Sequence, residues 1–133
     1  MPRLEVAARD TRQKRAIRAV LERAERPLSP EEILAAAQRS SAGLGIATVY
    51  RTVKSLVEES WLAAVELPGR PTHYERAGKS HHHHFACDAC ARVYEIEGCT
   101  VTPSLPRGFR VRDHEVTLYG ICRACSTAKR ASR

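Results

Sequence analysis

The chain has 133 residues, 43% hydrophobic and 28% charged, with 22 Lys and Arg against 15 Asp and Glu and a formal net charge of +7. That length suits one packed core or two small domains, and the basic balance favours a polyanionic partner such as nucleic acid without requiring one. No stretch approaches the roughly 18 apolar residues of a membrane span, and residues 1–10 carry charges where a signal peptide has an apolar core, so a cytoplasmic protein is expected.

Thr11 is predicted to cap a first helix, in which Ile17, Val20, Leu21 and Ala24 keep to one stripe and the chain breaks at Pro27. Ser29-Pro30-Glu31-Glu32 then combines a capping serine, a proline at the first helical position and a glutamate three residues after the cap, which predicts a second helix to about Arg39. Residues 40–45 are small and glycine-containing, hence a turn. A third helix follows from Ile46 or Ala47. It buries Val49, Val53, Leu56 and Val57, while Ala47, Arg51, Lys54 and Ser55 lie opposite, with Tyr50 on the flank.

Residues 61–67 and 72–75 read as two strands around the turn Pro68-Gly69-Arg70-Pro71. Three helices followed by a hairpin is the winged helix-turn-helix pattern, in which the third helix reads the major groove and the wing approaches a phosphate backbone. Arg51 is the predicted base reader because its guanidinium can bond guanine with two donors, against the plainer reading of a solvated basic helix face. Residues 76–80 are polar and predict a hinge. The expected fold is α+β, with a winged-helix domain at 1–76, the hinge proper at 77–80 and a second domain at 81–133.

Beyond the hinge the pattern turns extended, with strands predicted at 92–97, 109–112 and 116–119 and a frayed basic tail from Ser126. Four consecutive histidines, His81, His82, His83 and His84, lead into Cys87-x2-Cys90, and Cys122-x2-Cys125 forms a matching pair. Two such pairs can close a tetrahedral thiolate cage around zinc, a structural arrangement with no open position; disulfides or a redox motif are the competing readings. If the histidine run enters a strand, His81 and His83 face one way and His82 and His84 the other, so one run serves two metal sites; a solvated histidine tract or an internal tag competes with this. His73, Glu75, Glu95, Glu97 and His114 are possible further ligands. Cys99 is left over and is expected to be a small buried residue, with a redox or ligand role as the competing reading. No nucleophile and base pair, phosphate-binding loop or H-E-x-x-H motif is present, so an enzyme is not expected.

Taken together, Gly45-Ile46-Ala47-Thr48-Val49-Tyr50-Arg51, His73-Tyr74-Glu75, the histidine run into Cys87-Asp88-Ala89-Cys90, Gly108-Phe109, His114 and Tyr119-Gly120-Ile121-Cys122-Arg123-Ala124-Cys125 resemble the ferric uptake regulator family of bacterial metal-dependent repressors. The resemblance runs from about Thr11 to Cys125. It implies a homodimer of winged-helix domains and αβ dimerisation domains that binds a palindromic double-stranded DNA operator when loaded with metal. It implies DNA contacts from the recognition helix, with Ala47, Thr48, Tyr50, Arg51 and Lys54 as the candidates, and from Arg9 in a minor groove. Cys87, Cys90, Cys122 and Cys125 match the family's structural zinc. Glu75, His82, His84 and Glu95 match a regulatory site for Zn2+, Fe2+ or Mn2+, and His81, His83 and His114 match a second site.

Three departures stand out. Pro27 lies where many members carry a ligand histidine before the second helix, which makes His73 the candidate to complete the regulatory site. Residues 72–80 lack the cysteine common in zinc sensors. Residues 98–107 are short and lack the usual acidic ligand of the second site, leaving Glu97 as its nearest substitute. Peroxide sensing through iron, or zinc trafficking, are the alternative functions.

Overall fold

The computed structural model describes residues 2–99 and 103–131, and the side chains of all of these except 2–10 and 128–131. The chain forms two compact units, residues 1–78 and 79–133.

In the first unit, α1 (Pro2–Arg23), α2 (Pro30–Ala37) and α3 (Ile46–Glu58) precede a two-stranded antiparallel hairpin of β1 (Leu62–Val65) and β2 (His73–Arg76). This is the winged helix-turn-helix. Helix α1 starts well before Thr11, which therefore does not cap it: Pro2 suits a first helical turn, and Arg3, Leu4, Glu5, Ala7, Ala8 and Arg9 are mostly strong helix formers. Helix α2 has the full capping box, Ser29 Oγ accepting from Glu32 N–H while the Glu32 carboxylate accepts from Ser29 N–H. Ser29→Ala should therefore cost about 1 kcal/mol of unfolding free energy in denaturant titrations, with little effect on metal binding.

Helix α3 buries Val49, Thr52, Val53 and Leu56. It ends with Ser60 in the left-handed region at φ 60°, where Trp61 N–H bonds Leu56 C=O and Ser60 N–H bonds Val57 C=O, satisfying carbonyls that the helix end leaves orphaned. Ile17, Leu21, Leu28, Ile33, Ala37, Leu44, Val49, Val53, Leu56 and Leu62 make one continuous core. Leu28 and Tyr74 exchange two backbone hydrogen bonds, so the chain before α2 pairs with the wing and fixes its base.

In the second unit β3 (His82–Cys87) is central, antiparallel to β4 (Val93–Glu97) and parallel to β5 (Thr117–Gly120). Gly120 lies beneath the Phe85 ring, where an added Cβ would meet Cζ at 3.2 Å. Helix α4 (Arg123–Ala131) follows. Two expectations are corrected here. Residues 109–112 form no strand and join neither outer edge of the sheet, and Phe109 and Val111 stay 66% and 50% exposed. The supposed tail is helical to Ala131, begun by the Ser126 N–H bond to Cys122 C=O and the Thr127 hydroxyl bond to Arg123 C=O.

Candidate metal centres and DNA-reading face

The two Cys-x2-Cys pairs meet at the end of the three-stranded sheet. Cys87 is the last residue of β3 and Cys122 sits just before α4, and the Asp88 N–H to Gly120 C=O bond ties the two segments together. Ala91, at φ 63°, turns the chain after the first pair and donates to Cys87 C=O. All four sulfurs lie within 4.8 Å of one another, with Cys90 and Cys122 at 3.9 Å, and none of the five cysteines is in a disulfide. A tetrahedral zinc with bonds of about 2.3 Å holds its sulfurs about 3.8 Å apart, so the quartet fits such an ion.

The protonation chemistry agrees with this fit. Backbone N–H groups, first that of Cys122 and then that of Cys90, hold the Cys87 thiol down at about 6. The Tyr94 hydroxyl and the Cys125 N–H lower Cys122. Cys125 is pushed up to about 12 because Cys122 and the other clustered sulfurs compete with its ionisation. A divalent ion supplies the charge that lets all four ionise together.

The histidine run divides by the pleat of β3. On one face His81 and His83 have ring centroids 4.6 Å apart, with His114 4.8 Å and 5.2 Å from them. Their donor atoms group with that of Cys99, whose sulfur is 2.9 Å from His114 Nε2. Cys99 is thus exposed and beside imidazoles, instead of being a small buried residue. Burial, together with the charges of His81 and His114, pushes the His83 pKa below the ordinary histidine value.

On the other face the rings of His82 and His84 are 5.0 Å apart, and His82 Nδ1 lies 3.6 Å from a Glu95 oxygen. Glu95 sits directly across from His84 in the β3–β4 register, and its carboxylate also takes a 3.2 Å bond from Lys79. Glu97 is opposite His82. Directly paired residues share a sheet face, so the register puts Glu97 with His82 and His84, away from the second group it was expected to complete.

In the first unit Glu75 is buried on β2. His73 is buried too, but its ring is already engaged: Nδ1 donates to Pro71 C=O at 2.8 Å and Nε2 is 3.7 Å from Glu32. Burial raises the Glu32 carboxyl, yet its bonds from Arg26 and the Ser29 N–H outweigh that and hold it below its usual value. On α3, Ala47, Tyr50, Arg51 and Lys54 are exposed and Thr48 half-buried, with Arg51 Nη2 bonded to Thr48 Oγ1 at 3.1 Å. The side chain of Arg9 lies outside the described residues.

The sequence model of the ferric uptake regulator family matches residues 5–119. The chain belongs to this family. It is 34% identical over 118 residues to the ferric uptake regulation protein of Bacillus subtilis, covering 83% of this chain and 79% of that one. It is 28% identical over 122 residues to the zinc uptake regulation protein of Mycobacterium tuberculosis, covering 88% of this chain and 94% of that one. A solved zinc-bound manganese uptake regulator superposes with a TM-score of 0.71 at 28% identity, over 83% of this chain and 87% of that one. Ferric uptake regulator family members are metal-dependent transcription regulators instead of enzymes. This chain carries the winged helix, a four-cysteine group and further clustered histidines.

The sequence offered a ligand role for Cys99 only as the lesser reading and did not link it to His81, His83 and His114. Its only available signal was the absence of an acidic residue from the short segment in which it lies.

Proposed function

We propose that the protein is a metal-responsive repressor that binds a palindromic operator as a homodimer when its regulatory metal is loaded. The observation that carries this reading is the joint presence of an exposed Tyr50, Arg51 and Lys54 face on α3 and a His82, His84 and Glu95 face on β3, just beyond the predicted hinge. Glu75, on the last strand of the winged helix, is the proposed fourth ligand. An ion held by Glu75 on one side of the hinge and by His82, His84 and Glu95 on the other favours one domain arrangement over the rest. Operator affinity then rises by the metal's preference for that arrangement. His73 is left out of the set, because its ring anchors the wing base to Pro71 and Glu32.

Dimerisation is supported by the second unit's own surface. Leu118, Tyr119 and Ile121 are 49%, 50% and 42% exposed along and just after the edge strand β5, apolar area at an open sheet edge that a second copy can cover. A two-fold dimer places two recognition helices on two half-sites, which is why a palindrome is expected. Two histidines and two carboxylates accept zinc, iron or manganese, so metal content as isolated and the metal that restores binding decide which one is sensed.

A gel-shift titration tests the reading. Removing the regulatory ion while retaining the cysteine zinc is expected to weaken operator binding by roughly 5- to 150-fold, the usual range of coupling between sites. Unchanged binding sinks the proposal.

A further inference from the structure

We infer that Cys99 is the fourth ligand of the second metal position, and that its thiolate selects a tetrahedral, borderline-soft ion such as zinc over manganese or iron. The inference takes from the proposed function only that the histidine group is a metal position; it needs no DNA binding.

Three separate segments deliver the donors. His81 immediately precedes β3 and His83 lies within it, Cys99 follows Gly98, whose φ of +81° turns the chain at the end of β4, and His114 lies in the approach to β5, which pairs with β3. His81 Nε2 and His83 Nε2 are 3.2 Å apart, Cys99 Sγ and His114 Nε2 are 2.9 Å apart, and all four donors fall within 4.8 Å. A tetrahedral zinc with bonds of about 2.0 Å to three nitrogens and about 2.3 Å to one sulfur has edges of about 3.3 to 3.5 Å. Small side-chain shifts convert the observed group into that polyhedron. Without an ion the nitrogens must share protons: Val116 N–H donates to His83 Nδ1, which puts the His83 proton on Nε2, facing His81. An ion held at Nε2 would require that proton to move to Nδ1, and with it the loss of the 3.3 Å bond from Val116 N–H.

The ligand set sorts the ions. Manganese, and iron in open sites, favour oxygen donors and six-coordination, whereas three imidazoles and one thiolate closing a four-coordinate shell suit zinc and its spectroscopic substitute cobalt. Among the described residues no carboxylate belongs to the group, and the register assigns Glu95 and Glu97 to the opposite face of the sheet. The chain therefore separates its two histidine sites by chemistry: nitrogen and oxygen on one face, nitrogen and sulfur on the other.

Cobalt titration of the full-length protein, with zinc retained in the cysteine quartet and its content measured throughout, tests this directly. Tetrahedral cobalt absorption with a thiolate-to-cobalt charge-transfer band is expected in the wild-type protein and in His84→Ala. Cys99→Ser should abolish the band and weaken cobalt binding at this site by at least the roughly ten- to hundredfold that loss of even a supporting contact costs. Zinc should also protect Cys99 from alkylation. A cobalt complex that is lost in His114→Ala but never shows the thiolate band overturns the thiolate ligand alone. Cobalt uptake unaffected by His114→Ala overturns the second metal position as well, and neither result bears on the operator titration.

Discussion

Cys90→Ser or Cys122→Ser is expected to unfold residues 79–133 while leaving the winged helix intact. A structural four-cysteine zinc contributes about 10 to 16 kcal/mol of apparent binding free energy, against the roughly 5 to 15 kcal/mol net stability of a typical domain. The second unit has little else to rely on. Its buried apolar positions among the described residues are Ala86, Cys87, Val93 and Cys122, two of which belong to the cysteine quartet, whereas the first unit has a ten-residue continuous core. Hydrogen exchange should show loss of protection in β3, β4 and β5, with α1 to α3 still protected. Cys99→Ser, in an exposed position outside the quartet, should leave both units folded. Retained protection in the three strands after stoichiometric loss of zinc would falsify the structural role of the quartet.

Arg51→Ala is expected to cost about 1 to 3 kcal/mol per half-site, or roughly 5- to 150-fold in affinity, and to relax discrimination at one base position. The Thr48 hydroxyl, 3.1 Å from its guanidinium, restrains the side chain before DNA arrives, so Thr48→Ala should show a smaller effect in the same direction. Lys54→Ala provides the contrast. If Lys54 contacts phosphate, its loss weakens operator and random DNA alike and lowers the slope of log affinity against log salt by about one. Binding curves on operator and scrambled duplexes at several salt concentrations separate the two roles, and an Arg51→Ala protein that loses both duplexes equally would reassign Arg51 to the backbone.

Much of the winged helix was legible because its signals are local. The Ser29-Pro30-Glu32 box, the Val49, Val53 and Leu56 spacing and the Pro68-Gly69 turn each specify structure within a few residues. Helix ends were harder to read. Thr11 has the chemistry of a cap but occurs inside a longer run of helix formers, and the segment after Cys125 gave no sign that the bonds around Cys122 and Arg123 would start a helix. The alternation in residues 109–112 had the strand period, yet the segment pairs with neither outer edge of the three-stranded sheet.

By itself, the sequence determined the family, the class of fold and the presence of two kinds of metal-binding group, because cysteine pairs and a histidine run carry their meaning in spacing along the chain. Only the tertiary structure decided which distant residues join them. The parallel pairing of β3 with β5 brings the approach to β5, and with it His114, towards His81 and His83. The antiparallel register of β3 with β4 assigns Glu97 to one face, and the turn at Gly98 delivers Cys99 to the other. A one-residue change of register would exchange those faces, and no local pattern encodes a choice that depends on how separate strands align.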